Sequence, residues 1–472
     1  MRYLKARKRK KRLKIFLILF LIILAIIATA VFALWHFGGR PSLHSVDASQ
    51  MRTMDFLDID MYPQSFATDA LHLIRLAEES HPIFVLGGWL PKDYEAIRDE
   101  FLIYARNEDI TKLDFAFAAM RYITTLRDSH TSLNGMNMPT ESGSWKPIIS
   151  GGRLDIDWQE QNGKLFLTDD DITEVIEIGG VSVEQIFVVI DRYFYPENEF
   201  CRRQNHSNLS RLGDIIERAG GYMTNDSVQI TLVDNQGEVV TKDVPWVSED
   251  AGSSREFIIR HEMIDDIFFI DLRVFIYGEH ITETVQAIEV AIENGTREFV
   301  IDLRGNSGGS SWAGERLLGA MGITIPQHGM LVRTSQLAIE QGGMWHLGIL
   351  NWFGVDYIIM PPTIDTASNP DDILVSVLTD ASSYSSAMWM ASWVQDGGFG
   401  NVIGSPSRNA PTSFGNVLQY TLPYSGIEGA ISYVQWLRPD ENANPLVLMP
   451  DILVHPKDAL DVALEYLHNM NR

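Results

Sequence analysis

Residues Ile15–Trp35, IFLILFLIILAIIATAVFALW, form a run of 21 residues without a charge. At about 1.5 Å rise per residue, a helix of that length spans about 31 Å, the thickness of a bilayer core. Trp35 stands where an interfacial aromatic belongs. The apolar region of a cleavable signal peptide is shorter, about 7–15 residues, so the run predicts an uncleaved anchor. Met1–Lys14 ahead of it holds nine basic residues and no acid. The positive-inside rule then puts Met1–Lys14 in the cytoplasm and His36–Arg472 outside the cell.

The remaining charge has the opposite sign. Residues 15–472 keep 29 of the 38 Lys and Arg against all 62 Asp and Glu, a net charge of -33 within a total of -24. Such a surface does not neutralise phosphates, which argues against a nucleic-acid binder. It should also oppose adsorption to anionic membrane surfaces at low salt. Cys201 is the one cysteine. An intramolecular disulfide and a cysteine-rich zinc site are therefore excluded, and the outer part must be held by its core alone. With 45% hydrophobic residues it has the material for one.

Residues 38–52 read as a juxtamembrane linker, and residues 53–128 as helices. Thr111 and Asp114 make a capping-box pattern, followed by a stripe of Phe115, Ala118, Ala119, Tyr122 and Leu126. Leu71, Ile74 and Leu76 form an earlier stripe. Residues 150–247 change to short strands: Leu165–Leu167, Val175–Ile178, and Val228–Val233 joined to Glu238–Val240 across the turn signal Asp234–Gly237. Residues 256–472 alternate continuous apolar strands (Ile267–Ile270, Phe299–Ile301, Ile373–Leu378) with helices such as the stripe Val285, Ile288, Ala291 and Ile292. That pattern predicts an α/β core around a mainly parallel sheet. In such folds the site lies at the carboxyl ends of the strands.

Two motifs stand there. Phe299–Leu303 runs into Arg304-Gly305-Asn306-Ser307-Gly308-Gly309, whose glycines allow a sharp turn and leave free N–H groups for an anion. The spacing fits neither the dinucleotide fingerprint nor the P-loop. Ile373–Leu378 runs into Thr379-Asp380-Ala381-Ser382-Ser383-Tyr384-Ser385-Ser386-Ala387-Met388. A serine over a helix N-terminus is a seat for a nucleophile, although most such serines are only caps.

Together the motifs resemble the tail-specific, or C-terminal-processing, serine peptidases. Val402-Ile403-Gly404, Pro450-Asp451-Ile452 and Leu126-Arg127-Asp128-Ser129-His130 extend the resemblance over residues 53–470. Glu177-Ile178-Gly179-Gly180-Val181-Ser182 is similar to the start of the family's PDZ-like insert. The resemblance implies a ClpP/crotonase-like α/β core with an N-terminal helical region and an inserted PDZ-like β module, behind one transmembrane helix. The corresponding divisions are 1–14 basic tail, 15–37 anchor, 38–140 linker and helical region, 141–250 PDZ-like module and 251–472 peptidase core.

One branch of the family uses a Ser–Lys dyad. Counting forward from Ser385 to the place of that lysine reaches Ala410, in Ser407-Arg408-Asn409-Ala410-Pro411, and no lysine lies between Lys242 and Lys457. The tricorn-like branch takes its base from a Ser-His pair, here Ser129-His130, with a glutamate near the C-terminus bonded to that serine. Glu441 is the candidate, with Asp440 close behind. The resemblance thus implies Ser385 as nucleophile, with Ser382, Ser383 and Ser386 as register alternatives, and His130 as general base. Ser129 and Glu441 would orient His130. The amides of Gly308 or Gly309 and of Ser386 would form the oxyanion hole. No metal or nucleotide cofactor is needed, and the substrate would be a peptide or protein. The alternative is a catalytically inactive surface protein on the same fold that binds a peptide or an apolar ligand. Met388, where the Ser–Lys branch has a glutamate, favours that alternative.

Overall fold

The computed structural model describes residues 65–133, 151–169, 172–247, 259–276, 278–341, 354–370 and 372–470. The expected anchor, basic tail and linker lie outside them. No helix among the described residues is long and apolar enough to cross a membrane.

The chain opens with helices α1 (Phe66–Ser80), α2 (Tyr94–Tyr104) and α3 (Lys112–Ile123). The Thr111–Asp114 capping box forms as its spacing predicts, with Asp114 N–H donating to Thr111 Oγ1 at 3.1 Å. Phe115, Ala119, Tyr122 and Leu126 are buried, and Ala118 is half-buried. In α1 the buried stripe is Leu73, Ile74 and Ala77, with Leu71 at its edge.

Strand β1 (Ser132–Leu133) leaves the helices, and a second region follows. Strands β2 (Arg153–Leu154), β3 (Trp158–Gln161), β4 (Lys164–Leu167), β5 (Glu174–Ile178) and β6 (Val181–Ser182) lead into helices α4 (Val183–Tyr193), α5 (Glu199–Leu209) and α6 (Gly213–Arg218). Strands β7 (Ser227–Val233) and β8 (Val239–Val247) close an antiparallel sheet in the order β2-β8-β7-β5-β4-β3, with β6 on β5. Three helices thus stand between β6 and β7, in a region whose sequence predicts short strands.

The last region holds two sheets. In order along the chain come β9 (Ile259–Ile264), β10 (Ile267–Leu272), α7 (Glu279–Glu293), β11 (Glu298–Asp302), α8 (Ser311–Ala320), β12 (Gly329–Arg333), α9 (Gln336–Gln341) and β13 (Tyr357–Met360). After them come β14 (Leu374–Thr379), α10 (Ser386–Asp396), β15 (Gly400–Gly404), β16 (Ser413–Thr421), β17 (Glu428–Leu437), β18 (Ile452–Leu453) and α11 (Ala459–Met470). One sheet runs β18-β15-β14-β11-β10-β9 and is parallel except for β9. Its alternation decides its layers. Ile270, Phe299, Ile301 and Val377 face a core shared with α7, α8 and α10, whereas Ile267, Val300, Leu378 and Ile403 face α11 through Ala459, Ala463 and Leu467. A sheet buried on both faces explains why these strands read as unbroken apolar runs.

The other sheet, β1-β17-β12-β13 with β16 on β17, is antiparallel and joins β1 of the helical region to the core. It places the loop after α3 beside the parallel strands.

Candidate active site

β11 ends at Asp302 and the chain turns into α8. Asn306 holds the turn: its amide donates to Leu272 O and its Oδ1 accepts from Gly308 N–H, both at 2.7 Å. Gly308 has φ 97°, and a Cβ there would lie 2.7 Å from Ser385 Cβ. Glycine at this position therefore lets the two loops touch.

β14 ends at Thr379 and the next loop leads into α10. Asp380 Oδ1 accepts from Ser382 N–H at 2.8 Å and Ser383 N–H at 3.0 Å, and the Asp380 carboxylate accepts from Gly305 N–H. The serines now separate. Ser383 is buried, with its hydroxyl donating to Leu303 O at 2.7 Å. The Ser386 hydroxyl donates to Gly309 O at 2.6 Å. Ser382 does not face the cleft. Ser385 does, and its hydroxyl bonds to nothing among the described residues. Ser385 has φ 55° and ψ -118°, a conformation that L side chains rarely adopt. Its N–H donates to Asn409 Oδ1 at 2.7 Å, which holds the elbow.

His130 lines the same cleft, about 180 Å³ in volume, along with Gly309, Ser386, Trp389, Phe414 and Trp436. Its loop is pinned by Asp128, whose carboxylate accepts from His130 N–H at 2.7 Å, Thr131 N–H at 3.0 Å and Thr131 Oγ1 at 2.6 Å. Buried His81 accepts from Ile83 N–H on Nδ1 at 3.2 Å, so its Nε2 carries the proton shared with Asp128 at 3.2 Å. Burial alone would push the Asp128 carboxyl up. The His81 bond, with His130 and Ser432 close by, outweighs burial and holds it well below the usual carboxylate range.

The other side of His130 is where sequence and structure differ. Ser129 Oγ donates to Glu197 Oε1 at 2.6 Å, and it also bonds to the Tyr384 hydroxyl. The Tyr384 hydroxyl lies 3.1 Å from His130 Nδ1. Burial first, and the Glu197 charge next, raise Tyr384 well above an ordinary phenol, so it keeps its proton. Ser129 has one proton and gives it to Glu197. The Tyr384 proton therefore goes to Ser129 Oγ, and His130 Nδ1–H donates to Tyr384 Oη. That count leaves Nε2 of His130 with its lone pair, on a ring that shares the cleft with Ser385. Glu197 Oε1 is 4.0 Å and Asp128 Oδ1 3.8 Å from Nδ1, where the positive charge of an imidazolium would rest.

Glu197 also faces the other loop. Its Oε2 accepts from Asn409 Nδ2 at 2.7 Å and Ala410 N–H at 2.8 Å. Through Asn409 it reaches the N–H of Ser385. One carboxylate thus positions both the Ser129–His130 loop and the Ser385 elbow.

Glu441 is not that carboxylate. It lies on an exposed turn after β17. Buried Arg438 ties the turn to Asp396, with contacts at 2.6 and 3.0 Å, and Asp440 N–H donates to Asp396 Oδ2 at 3.2 Å. Asp396 ends α10, about 16 Å along the helix axis from Ser385 at about 1.5 Å per residue. The Gly308 alternative for the oxyanion hole also fails, because its N–H is committed to Asn306. Gly309 N–H and Ser386 N–H have no acceptor among the described residues and flank Ser385. Ser386 N–H belongs to the first turn of α10, where amides lack intrahelical partners. Met388 is fully buried in the core under α10. No sequence signal marked Glu197, which follows α4 in the inserted region. Tyr384 adjoins Ser385 in the motif, but nothing in the sequence gives it a role.

His328 supports the cleft wall. It stacks on Trp389 at 4.6 Å, and Trp393 Nε1–H donates to its Nδ1 at 3.0 Å. Burial first, and the Arg438 charge second, push His328 from 6.5 down to about 3. As pH falls through that window the unfolded chain takes up this proton and the folded chain does not, so this contribution to stability is full above 6.5 and declines toward 3. His328→Gln, which keeps an acceptor for Trp393, should flatten the dependence of the urea midpoint on pH across this window. An unchanged slope would contradict that assignment.

Residues 267–441 match the model of peptidase family S41. No curated protein sequence matches the chain. Among solved structures, mature CPAF is similar over 86% of this chain and 95% of its own, at 14% identity and a TM-score of 0.59. Its complex with lactacystin is similar over 86% and 97%, at 14% identity and a TM-score of 0.57. The photosystem II D1 C-terminal processing protease aligns over 84% and 94%, at 12% identity and a TM-score of 0.43.

Proposed function

We propose that this chain, a serine-type peptidase of family S41, cleaves peptides or proteins outside the cell through an acyl-enzyme on Ser385. The observation that carries the reading is the shared cleft of Ser385 and His130, with the His130 ring held by Tyr384, Ser129 and Glu197. His130 Nε2 takes the proton from the Ser385 hydroxyl, and Ser385 Oγ attacks the substrate carbonyl. The amides of Gly309 and Ser386 receive the oxyanion. The tetrahedral intermediate collapses as His130 gives its proton to the leaving amine, leaving the acyl group on Ser385. Water, deprotonated by His130, then releases the acid and restores the enzyme.

The positive charge on His130 during both steps is met by the two carboxylates near Nδ1. A Ser–His arrangement of this kind belongs with the tricorn-like branch, with the acid drawn from the inserted region. That region serves as a PDZ-like module in this reading, supported by the Ile178-Gly179-Gly180 turn between β5 and β6. Ile15–Trp35 anchors the enzyme in the cell membrane with its basic tail inside. The alternative of an inactive binding protein is disfavoured by Ser385, whose strained backbone and unbonded hydroxyl an N-cap role does not require.

A fluorophosphonate probe tests the reading. The full chain should be labelled on the tryptic peptide that contains Ser385, and labelling should disappear in His130→Ala. Labelling on Ser382, Ser383 or Ser386 would overturn the choice of nucleophile, and no labelling would favour the binding protein.

A further inference from the structure

A second pocket lies away from the catalytic cleft, among α2, α3, α4 and α6. It has a volume of about 330 Å³, at the lower end of small-ligand sites of roughly 300–1,000 Å³. Phe101, Ala118 and Tyr193 form its apolar interior, and Ile103, 68% exposed, extends it to the surface. Three arginines stand around it in a chain that is otherwise strongly acidic. Arg121 pairs with Glu100 at 2.9 Å, and Arg218 reaches Asp114 and the Tyr193 hydroxyl, both at 3.3 Å. Arg192 has no carboxylate partner among the described residues and sits 5.8 Å from the Tyr193 ring.

We propose that this pocket binds a free long-chain carboxylate, with its alkyl chain against Phe101, Ala118 and Tyr193 and its head on Arg192. Two observations choose this occupant. The free guanidinium beside an apolar floor calls for an anion joined to an apolar body. The α2 and α3 walls present helix backbone whose groups are already bonded to one another, and only the last turns of α4 and α6 leave carbonyls open, so an extended peptide would find few main-chain partners here. An alkyl chain requires none.

The test uses the full chain in nanodiscs of zwitterionic phosphatidylcholine and a diazirine-bearing analogue of dodecanoate, with the crosslinked residues mapped by mass spectrometry. Crosslinks are expected on α2, α3 and α4. Excess dodecanoate should suppress them, and dodecanol should compete about tenfold less well, since the head group supplies a charge-assisted bond. Arg192→Glu, an exposed substitution that spares the core, should lower the yield by about tenfold. Ala118→Trp, which fills the floor, should abolish it. Labelling that dodecanol suppresses equally, that is unchanged in Arg192→Glu, or that falls outside these helices would overturn the proposal. So would equal competition by an apolar peptide with a free C-terminus.

Discussion

Ser385→Ala should reduce peptide hydrolysis by roughly 10⁴- to 10⁶-fold, because the attacking oxygen is removed and only binding and the oxyanion donors remain. The loss should appear in kcat, with substrate affinity little changed, since the side chain is small and projects into an open cleft. Stability should barely move: the Ser385 hydroxyl has no hydrogen-bond partner among the described residues, so its removal orphans nothing. Ser383→Ala should behave in the opposite way. Its buried hydroxyl donates to Leu303 O, and losing it should weaken the fold by about 1 kcal/mol while the nucleophile stays in place. Steady-state hydrolysis of a fluorogenic peptide, paired with urea unfolding, separates the two. A Ser385→Ala enzyme with more than a few per cent of wild-type kcat would rule out the acyl-enzyme.

Glu197→Gln should be the most damaging change outside the Ser–His pair. A glutamine amide offers one oxygen and one NH₂. Placed in the Glu197 site, it can accept from Ser129 or from Asn409 and Ala410, but its NH₂ then confronts donors on the other side. We expect a loss of about 10²- to 10³-fold in kcat/KM. A stability cost of about 1–3 kcal/mol should accompany it, because buried donors are left unpaired. Tyr384→Phe breaks the same chain of hydrogen bonds one link closer to His130. Its effect should not add to that of Glu197→Gln in the double variant. Glu441→Gln, on its exposed turn, should stay within about twofold of wild type. The reverse pattern, a crippled Glu441→Gln beside an active Glu197→Gln, would return the acid role to the C-terminal turn.

The parallel core was legible because a sheet covered on both faces must be apolar at every position. Ile267–Ile270, Phe299–Ile301 and Ile373–Leu378 said so directly. Asn306, Gly308 and Ser385 were legible for a related reason: a turn from a strand into a helix has few solutions, and these need residues with unusual backbone freedom or a short side chain. The helices α4, α5 and α6 were not legible as part of a strand-rich region. α4 does carry a helical stripe of Val183, Ile186, Phe187 and Ile190 behind a Ser182–Gln185 capping box, but it is one helix among short strands, and Val228–Val233 with Glu238–Val240 on the far side dominate the pattern.

What the amino-acid order decided by itself was the chemistry of the neighbourhood. It supplied a serine at a helix start, a histidine in a Ser-His pair and glycines with free amides, and it withheld a lysine from the place where a dyad needs one. It also set apart an uncharged run and a basic tail from an acidic remainder. What only the tertiary structure decided was which carboxylate serves the histidine. Glu197 is 67 residues after His130 and 188 before Ser385 in the chain, and nothing in its local sequence distinguishes it from other acids. It becomes the common acceptor for Ser129, Asn409 and Ala410 because the inserted region packs the segment between α4 and α5 between the two loops. A hydrogen bond is set by distances of about 3 Å, and spacing along a chain fixes such distances only within a single turn or helix.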